Sequence, residues 1–150
     1  MDYELRLMTL NDIESVVEGE EKAFGESLGY DMLYSELVMN PFANYFVLDI
    51  DNQVKGYIGV WIDGEASQII NFYVDDEFQN QGFGSMMLEF VIELCKMSNL
   101  NVLSLEVRES NEKAIKLYEK YGFVFSHKRK NYYSNGEDAL LLIKNLKDEE

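Results

Sequence analysis

The sequence predicts an α/β fold: a mixed, mostly antiparallel sheet of about seven strands, covered by helices on both faces. Three observations lead there. Seven short runs rich in β-branched and aromatic residues alternate with four segments of helical apolar spacing. The three runs between residues 45 and 74 are joined by turns too short for anything but antiparallel neighbours. Strand-like and helical segments then alternate through the second half, which brings a parallel element into the sheet. At 150 residues the chain fits one domain, 1–150, and its 47% apolar content supplies a core that needs no metal or disulfide staple.

Residues 3–8 read as the first strand. Thr9 offers a helix N-cap with Asp12 three positions on, and Ile13, Val16, Val17 and Phe24 follow at helical spacing before Gly25. A second helix spans about Asp31 to Met39 and stops at Asn40-Pro41, because the proline ring disfavours helical backbone in the residue before it. Tyr45–Ile50, Val54–Ile62 and Ala66–Val74 form a meander turning at Asp51-Asn52 and Asp63-Gly64. After the loop QNQGFGS a helix runs to about Ser98, with Met87, Leu88, Val91, Leu94 and Cys95 on its apolar face. Val102–Val107 is the next strand, and a helix from about Asn111 to Tyr121 ends at Gly122. Phe123–Tyr133 and Ala139–Lys144 flank Asn135-Gly136, a strong hairpin signal. Only the terminal KDEE reads as a frayed tail.

Thirteen basic against 28 acidic residues leave a formal charge of −15, which excludes a general nucleic-acid binder. It suits a cationic substrate, and equally the plain solubility of a cytoplasmic protein. The single cysteine, Cys95, excludes an intrachain disulfide and lies on a helical apolar stripe, as a core thiol would. The N-terminus has no secretory pattern and no apolar run is long enough to cross a bilayer, so the expected setting is cytoplasmic and away from membranes.

The stretch most telling of function is Gln79-Asn80-Gln81-Gly82-Phe83-Gly84-Ser85, between a strand and an amphipathic helix. Its glycines let the backbone approach a ligand, and the unpaired amides of a helix's first turn attract an anion. A pyrophosphate needs no lysine there. The P-loop and dinucleotide-binding glycine patterns are both missing.

Gln79-x-x-Gly82-x-Gly84 resembles the Q/R-x-x-G-x-G/A signature of the GNAT acetyltransferases, and the element order resembles that fold over nearly the whole chain. The resemblance implies acetyl-coenzyme A as co-substrate. Its pyrophosphate would rest on the amides of Asn80 to Ser85. Its pantetheine arm would lie along Phe72-Tyr73-Val74, one of whose amides would polarise the thioester carbonyl. The segment LEVRESNEKAIKLYEKYGF, Leu105 to Phe123, resembles the RimI-type enzymes that acetylate the alanine terminus of a small-subunit ribosomal protein. It implies Glu106 as general base, Asn111 as a coenzyme contact and Tyr118 as the acid that protonates the leaving thiolate. Arg129-Lys130-Asn131-Tyr132-Tyr133 is similar to the same group.

This chemistry is sound apart from the resemblance, since an attacking amine must lose a proton and a leaving thiolate must gain one. Read without it, Glu106 is a solvated strand residue, Tyr118 a packing residue beside Ala114, Leu117 and Tyr121, and Asn111 a helix cap. Tyr132 and Tyr133 either line the acceptor cleft or pack on the hairpin, and His127 reads as exposed. The RimI-type Phe-x-x-Pro-Trp run between the first two helices is replaced by Ala23–Tyr30 without proline or tryptophan, which leaves the acceptor open. Deprotonation at pH 7 costs about 1.4 kcal/mol for an α-amine and about 4.6 for lysine, favouring a protein N-terminus. The other readings are a small-molecule amine as acceptor, or a non-catalytic acyl-coenzyme A-binding module, in a monomer or homodimer.

Overall fold

The turn residues place the strands. Asp51 and Asn52 have φ of 50° and 70°, the paired left-handed conformation that closes a two-residue hairpin with the twist of its strands. The computed structural model describes residues 1–147; Asp148–Glu150 of the expected frayed tail lie outside the described residues. Its elements are β1 (Tyr3–Leu7), α1 (Ile13–Phe24), α2 (Tyr30–Met39), β2 (Ala43–Ile50), β3 (Gln53–Asp63), β4 (Ala66–Val74), α3 (Phe83–Met97), β5 (Val102–Arg108), α4 (Glu112–Lys120), β6 (Val124–Arg129) and β7 (Ala139–Asn145), with one-turn 3-10 segments at Leu10–Asp12 and Asp76–Phe78. The strand order is β1-β2-β3-β4-β5-β7-β6, and β4–β5 is the one parallel pair. No helix among the described residues is long and apolar enough to cross a membrane.

Period-two alternation divides the core between the two faces of the sheet. Phe46, Leu48 and Ile50 of β2 pack with Met87, Leu88, Val91 and Cys95 of α3 and with Tyr118 of α4. Tyr45 and Val47, one residue out of phase, pack with Ile13 and Val16 of α1 and Leu33 of α2. Cys95 is buried, as a core thiol would be, and burial raises its pKa.

Two fully or nearly buried carboxylates bind the second face together. Glu20 is fully buried and accepts from Tyr57, from Asn71 Nδ2 at 2.5 Å, from Ser27 Oγ at 2.6 Å and from the Leu28 amide. Glu36 accepts from Tyr45, Trp61 and Asn40. Among the described residues neither has a cationic partner; hydroxyl, amide and indole donors satisfy the oxygens. At the N-terminus of α1 the expected pairing holds, with the Thr9 amide donating to Asp12 at 2.8 Å. Arg6 adds two bonds to the Asp12 carboxylate.

The last hairpin departs from expectation. The sixth strand stops at Arg129 instead of Tyr133, and Asn135-Gly136 sits inside the nine-residue connection 130–138. Side chains dictate this. Asn131 takes φ 52° and its amide donates to Asp138 Oδ1, while the Tyr133 amide donates to the Glu137 carbonyl, so the segment folds on itself before the ladder can reach the turn.

Burial raises the phenol pKa of Tyr45, Tyr57, Tyr73 and Tyr118 well above 10. Below pH 10 both folded and unfolded forms keep these protons. Above it the unfolded chain loses them first, so stability falls. Denaturant midpoints are expected to hold between pH 7 and 9 and drop beyond about pH 10, with tyrosinate absorbance appearing together with unfolding. Tyrosinate absorbance from all ten tyrosines well ahead of unfolding would contradict this burial.

Candidate active site

The site begins where a ladder stops. β4 and β5 pair only over Ala66–Ile69 and Val102–Leu105, and beyond that the strands part. A bulge lies just there: Ile69 faces Val60 and Asn71 faces Gly59, which leaves Ile70 unpaired and re-aims the rest of β4. Two hollows open on the gap. The larger, about 470 Å³, lies along Phe72-Tyr73-Val74 and the start of α3. The smaller, about 260 Å³, holds Glu106, Tyr132 and Tyr133. Phe24, Phe72, Asn111, Ala114 and Tyr118 line both.

The loop before α3 is shaped by left-handed backbone. Asn80 and Gly82 take φ of 63° and 90°, and Gly82 caps the helix, its carbonyl accepting the Met86 amide at 3.0 Å. The amides of Phe83, Gly84 and Ser85 therefore face outward without intrahelical acceptors. Gln79, Asn80, Gly82, Gly84 and Ser85 line the larger hollow, whereas Gln81 and Phe83 do not. The Phe83 side chain is instead buried against Tyr3 and Phe78. Gln79 holds the loop in place, donating to the Val74 carbonyl at 2.9 Å and accepting from Lys113 Nζ at 3.0 Å. These amides, with Lys113 on the wall, fit a pyrophosphate. Tyr73 turns away from the cleft beneath α1, where its hydroxyl occupies the space a Cβ on Gly19 would need.

Tyr118 stands between the hollows. It is 6% exposed, packed on Phe72 and Phe123, and burial holds its phenol protonated at neutral pH. No described side chain hydrogen-bonds its hydroxyl, so the proton is available to a ligand. Asn111 both caps α4, accepting the Ala114 amide at 3.2 Å, and lines both hollows. The cap read from the sequence is present, and the same side chain stands at the junction of the two hollows.

Glu106 projects from β5 into the smaller hollow with its side chain 12% exposed. Oε1 accepts from Tyr132 at 3.1 Å. Oε2 lies 2.6 Å from Arg129 Nε, yet it is buried and receives no aligned hydrogen bond, so the contact is one of charge alone. Burial pushes Tyr133 up to about 12 against the opposing effect of Arg108. His127 is exposed on β6.

Several groups that build the hollow were not anticipated. Arg108 lies 4.1 Å over the Tyr133 ring and reaches Glu26 at 3.1 Å and Glu137 at 3.4 Å. Ser134 Oγ donates to the same Glu26 at 2.6 Å. The α1–α2 loop and the β6–β7 connection are thus tied together across the hollow. Asn71 lines it, donating to the buried Glu20 behind at 2.5 Å, and the Asn71 side-chain oxygen Oδ1 accepts the Phe72 amide. One signal was present: Glu20 falls seven residues after Ile13 and four after Val16, a carboxylate on an apolar stripe.

Comparison with known proteins agrees with this geometry. Residues 10–123 match the Acetyltransferase (GNAT) family. A Bacillus subtilis protein provisionally described as a ribosomal protein bS18-alanine N-acetyltransferase is 42% identical over 139 residues, 92% of each chain. An N-alpha-acetyltransferase of Sulfolobus acidocaldarius is 30% identical, covering 95% of this chain and 92% of its own. The crystal structure of the ribosomal-protein-S18-alanine N-acetyltransferase from Escherichia coli superposes with a TM-score of 0.88 at 25% identity, over 99% of this chain and 97% of that one.

Alanine in place of Gly82 must adopt left-handed backbone, at a cost of roughly 1–2 kcal/mol, or move the loop. Gly82→Ala is expected to weaken coenzyme A binding about tenfold in calorimetry. An unchanged Kd would mean that the loop does not set affinity.

Proposed function

This chain belongs to the acetyltransferase (GNAT) family, and we propose that it acetylates the N-terminal α-amino group of a protein, using acetyl-coenzyme A. The observation that carries the reading is the position of Tyr118, common to a hollow with a pyrophosphate-type amide cradle and a hollow with a carboxylate on its wall. Donor and acceptor can meet there in one complex, without an acetylated side chain in between.

Acetyl-coenzyme A supplies the activated acetyl group: the new N–C bond replaces the C–S bond, the nitrogen gives up a proton and the sulfur gains one. The chain's residues divide these tasks. Amides of Asn80 to Ser85 hold the pyrophosphate, and Phe72–Val74 guide the arm and present an amide to the carbonyl oxygen. Glu106 takes the amine proton, directly or through a water, while Tyr118 donates its phenolic proton to the sulfur. Asn111 positions the arm at the junction. Tyr132 and Tyr133 form the acceptor wall, and Tyr132 also orients Glu106 by its hydrogen bond.

An α-amine suits this site better than a lysine side chain. Its proton is cheaper to remove by about 3 kcal/mol at pH 7, and a lone carboxylate relay faces the smaller demand. The contacts of Arg108 and Ser134 with Glu26 tie the α1–α2 loop to the β6–β7 connection beside the hollow. A cytoplasmic setting goes with such an acceptor.

Release of coenzyme A is expected with unblocked peptides beginning in Ala, Ser or Met, and not with an N-blocked lysine peptide or spermidine; turnover of spermidine alone would transfer the chain to small-amine acetylation. Glu106→Gln is expected to lower kcat by 10²–10⁴, the usual worth of a positioned base, with near-normal coenzyme affinity. Tyr118→Phe is expected to slow turnover in a folded protein, and full activity in either variant would remove that residue from the mechanism.

A further inference from the structure

Glu106 Oε2 is buried, accepts no hydrogen bond, and has a guanidinium 2.6 Å away. From this we infer that Arg129 is a cationic placeholder: it neutralises Glu106 while the acceptor site is empty and is displaced by the ammonium of the incoming amine, so that it sets acceptor affinity. The inference rests on the assignment of Glu106 as the group that receives the amine proton.

The two arginines beside the hollow are held very differently. Arg108 is 18% exposed and is fixed by Glu26, Glu137 and the Tyr133 ring. Arg129 is 52% exposed. It reaches over β7 from the edge strand β6, and besides Glu106 its guanidinium has the Tyr132 ring 5.8 Å away. Its Nε supplies charge without directing an N–H at the oxygen. Swinging into solvent therefore sacrifices no hydrogen bond, and the guanidinium is fully hydrated there.

The acceptor offers what Arg129 withholds. An α-amine with an ordinary pKa near 8 arrives mostly as an ammonium carrying three N–H donors. Oε1 is already engaged by Tyr132, which leaves Oε2 as the oxygen without a donor. Two cations cannot both sit against one buried oxygen without repulsion, so the ammonium and the guanidinium exclude each other. Glu106 takes one proton from the ammonium and later gives it to solvent, while the second nitrogen proton restores the Tyr118 phenol that protonated the sulfur; with the product neutral and Glu106 again a carboxylate, the guanidinium can return. Arg129 is accordingly a positioning and specificity residue. It makes the acceptor pay for entry, and that discriminates most against weakly held amines.

The test is steady-state kinetics of R129Q and R129K against an unblocked alanine-first peptide at saturating acetyl-coenzyme A, with melting curves to confirm that both variants are folded. R129Q is expected to lower the acceptor KM at least threefold, with the gain in KM instead of kcat and the acetyl-coenzyme A KM unmoved. R129K, which keeps the charge, is expected to resemble the wild type. An active wild type whose acceptor KM is unchanged or raised in R129Q overturns the displacement alone. A wild type that turns over no unblocked peptide, or whose E106Q variant is fully active, overturns the assignment beneath it.

Discussion

A backbone ladder that stops partway is the constraint on which the site depends. Buried N–H and C=O groups must be paired, and along most of this sheet each strand satisfies its neighbour. β4 and β5 satisfy one another over four residues each and then diverge, leaving polar backbone with no strand to meet. The bulge at Ile70 makes the parting abrupt. Such groups must turn to a ligand or to water, and the sheet thereby creates a cleft without a separate domain to enclose it. The candidate site is arranged around that gap. The α3 amides lie at one end, Glu106 at the other, and Tyr118 covers the middle.

Rigid packing behind the cleft keeps the gap in shape. The face beneath α1 and α2 is held by Glu20 and Glu36, each surrounded by neutral donors from several elements. A buried carboxylate that loses one of its donors is costly, so these networks fix helix against sheet more sharply than apolar contact alone. Glu20 also connects the α1–α2 loop to Asn71, and Asn71 engages the Phe72 amide. The α1–α2 loop and the segment of β4 beside the gap are therefore supported by the same buried group. The opposite face is packed mainly from Met, Leu, Val, Ile and Phe side chains.

Local chemistry made much of this legible in the sequence. The turn at Asp51-Asn52 and the helix stop at Gly25 lie where the sequence placed them, and these residues and Gly82 take left-handed backbone. The meander of Tyr45–Ile50, Val54–Ile62 and Ala66–Val74 was readable from its short turns, and the glycine loop marked the start of α3. What stayed hidden depends on contacts between distant residues. The Asn135-Gly136 signal was overridden by Asn131, Asp138 and Arg108, side chains that hold the connection in a folded loop. The ties from Arg108 to Glu26 and from Ser134 to Glu26 span 82 and 108 residues, beyond any local pattern. Arg129 next to Glu106 needs the strand order β5-β7-β6, which brings the edge strand within reach only after the chain has doubled back.

The central claim is that donor and acceptor share one cleft at Tyr118, and the most direct measurement is the affinity of a bisubstrate conjugate. In it, coenzyme A is joined through an acetyl bridge to the α-nitrogen of an alanine-first peptide, and its Kd is compared with that of coenzyme A alone. If the two hollows meet as described, the conjugate binds at least about a hundredfold more tightly, since linkage makes the second contact intramolecular. An affinity no better than that of coenzyme A would contradict the shared cleft.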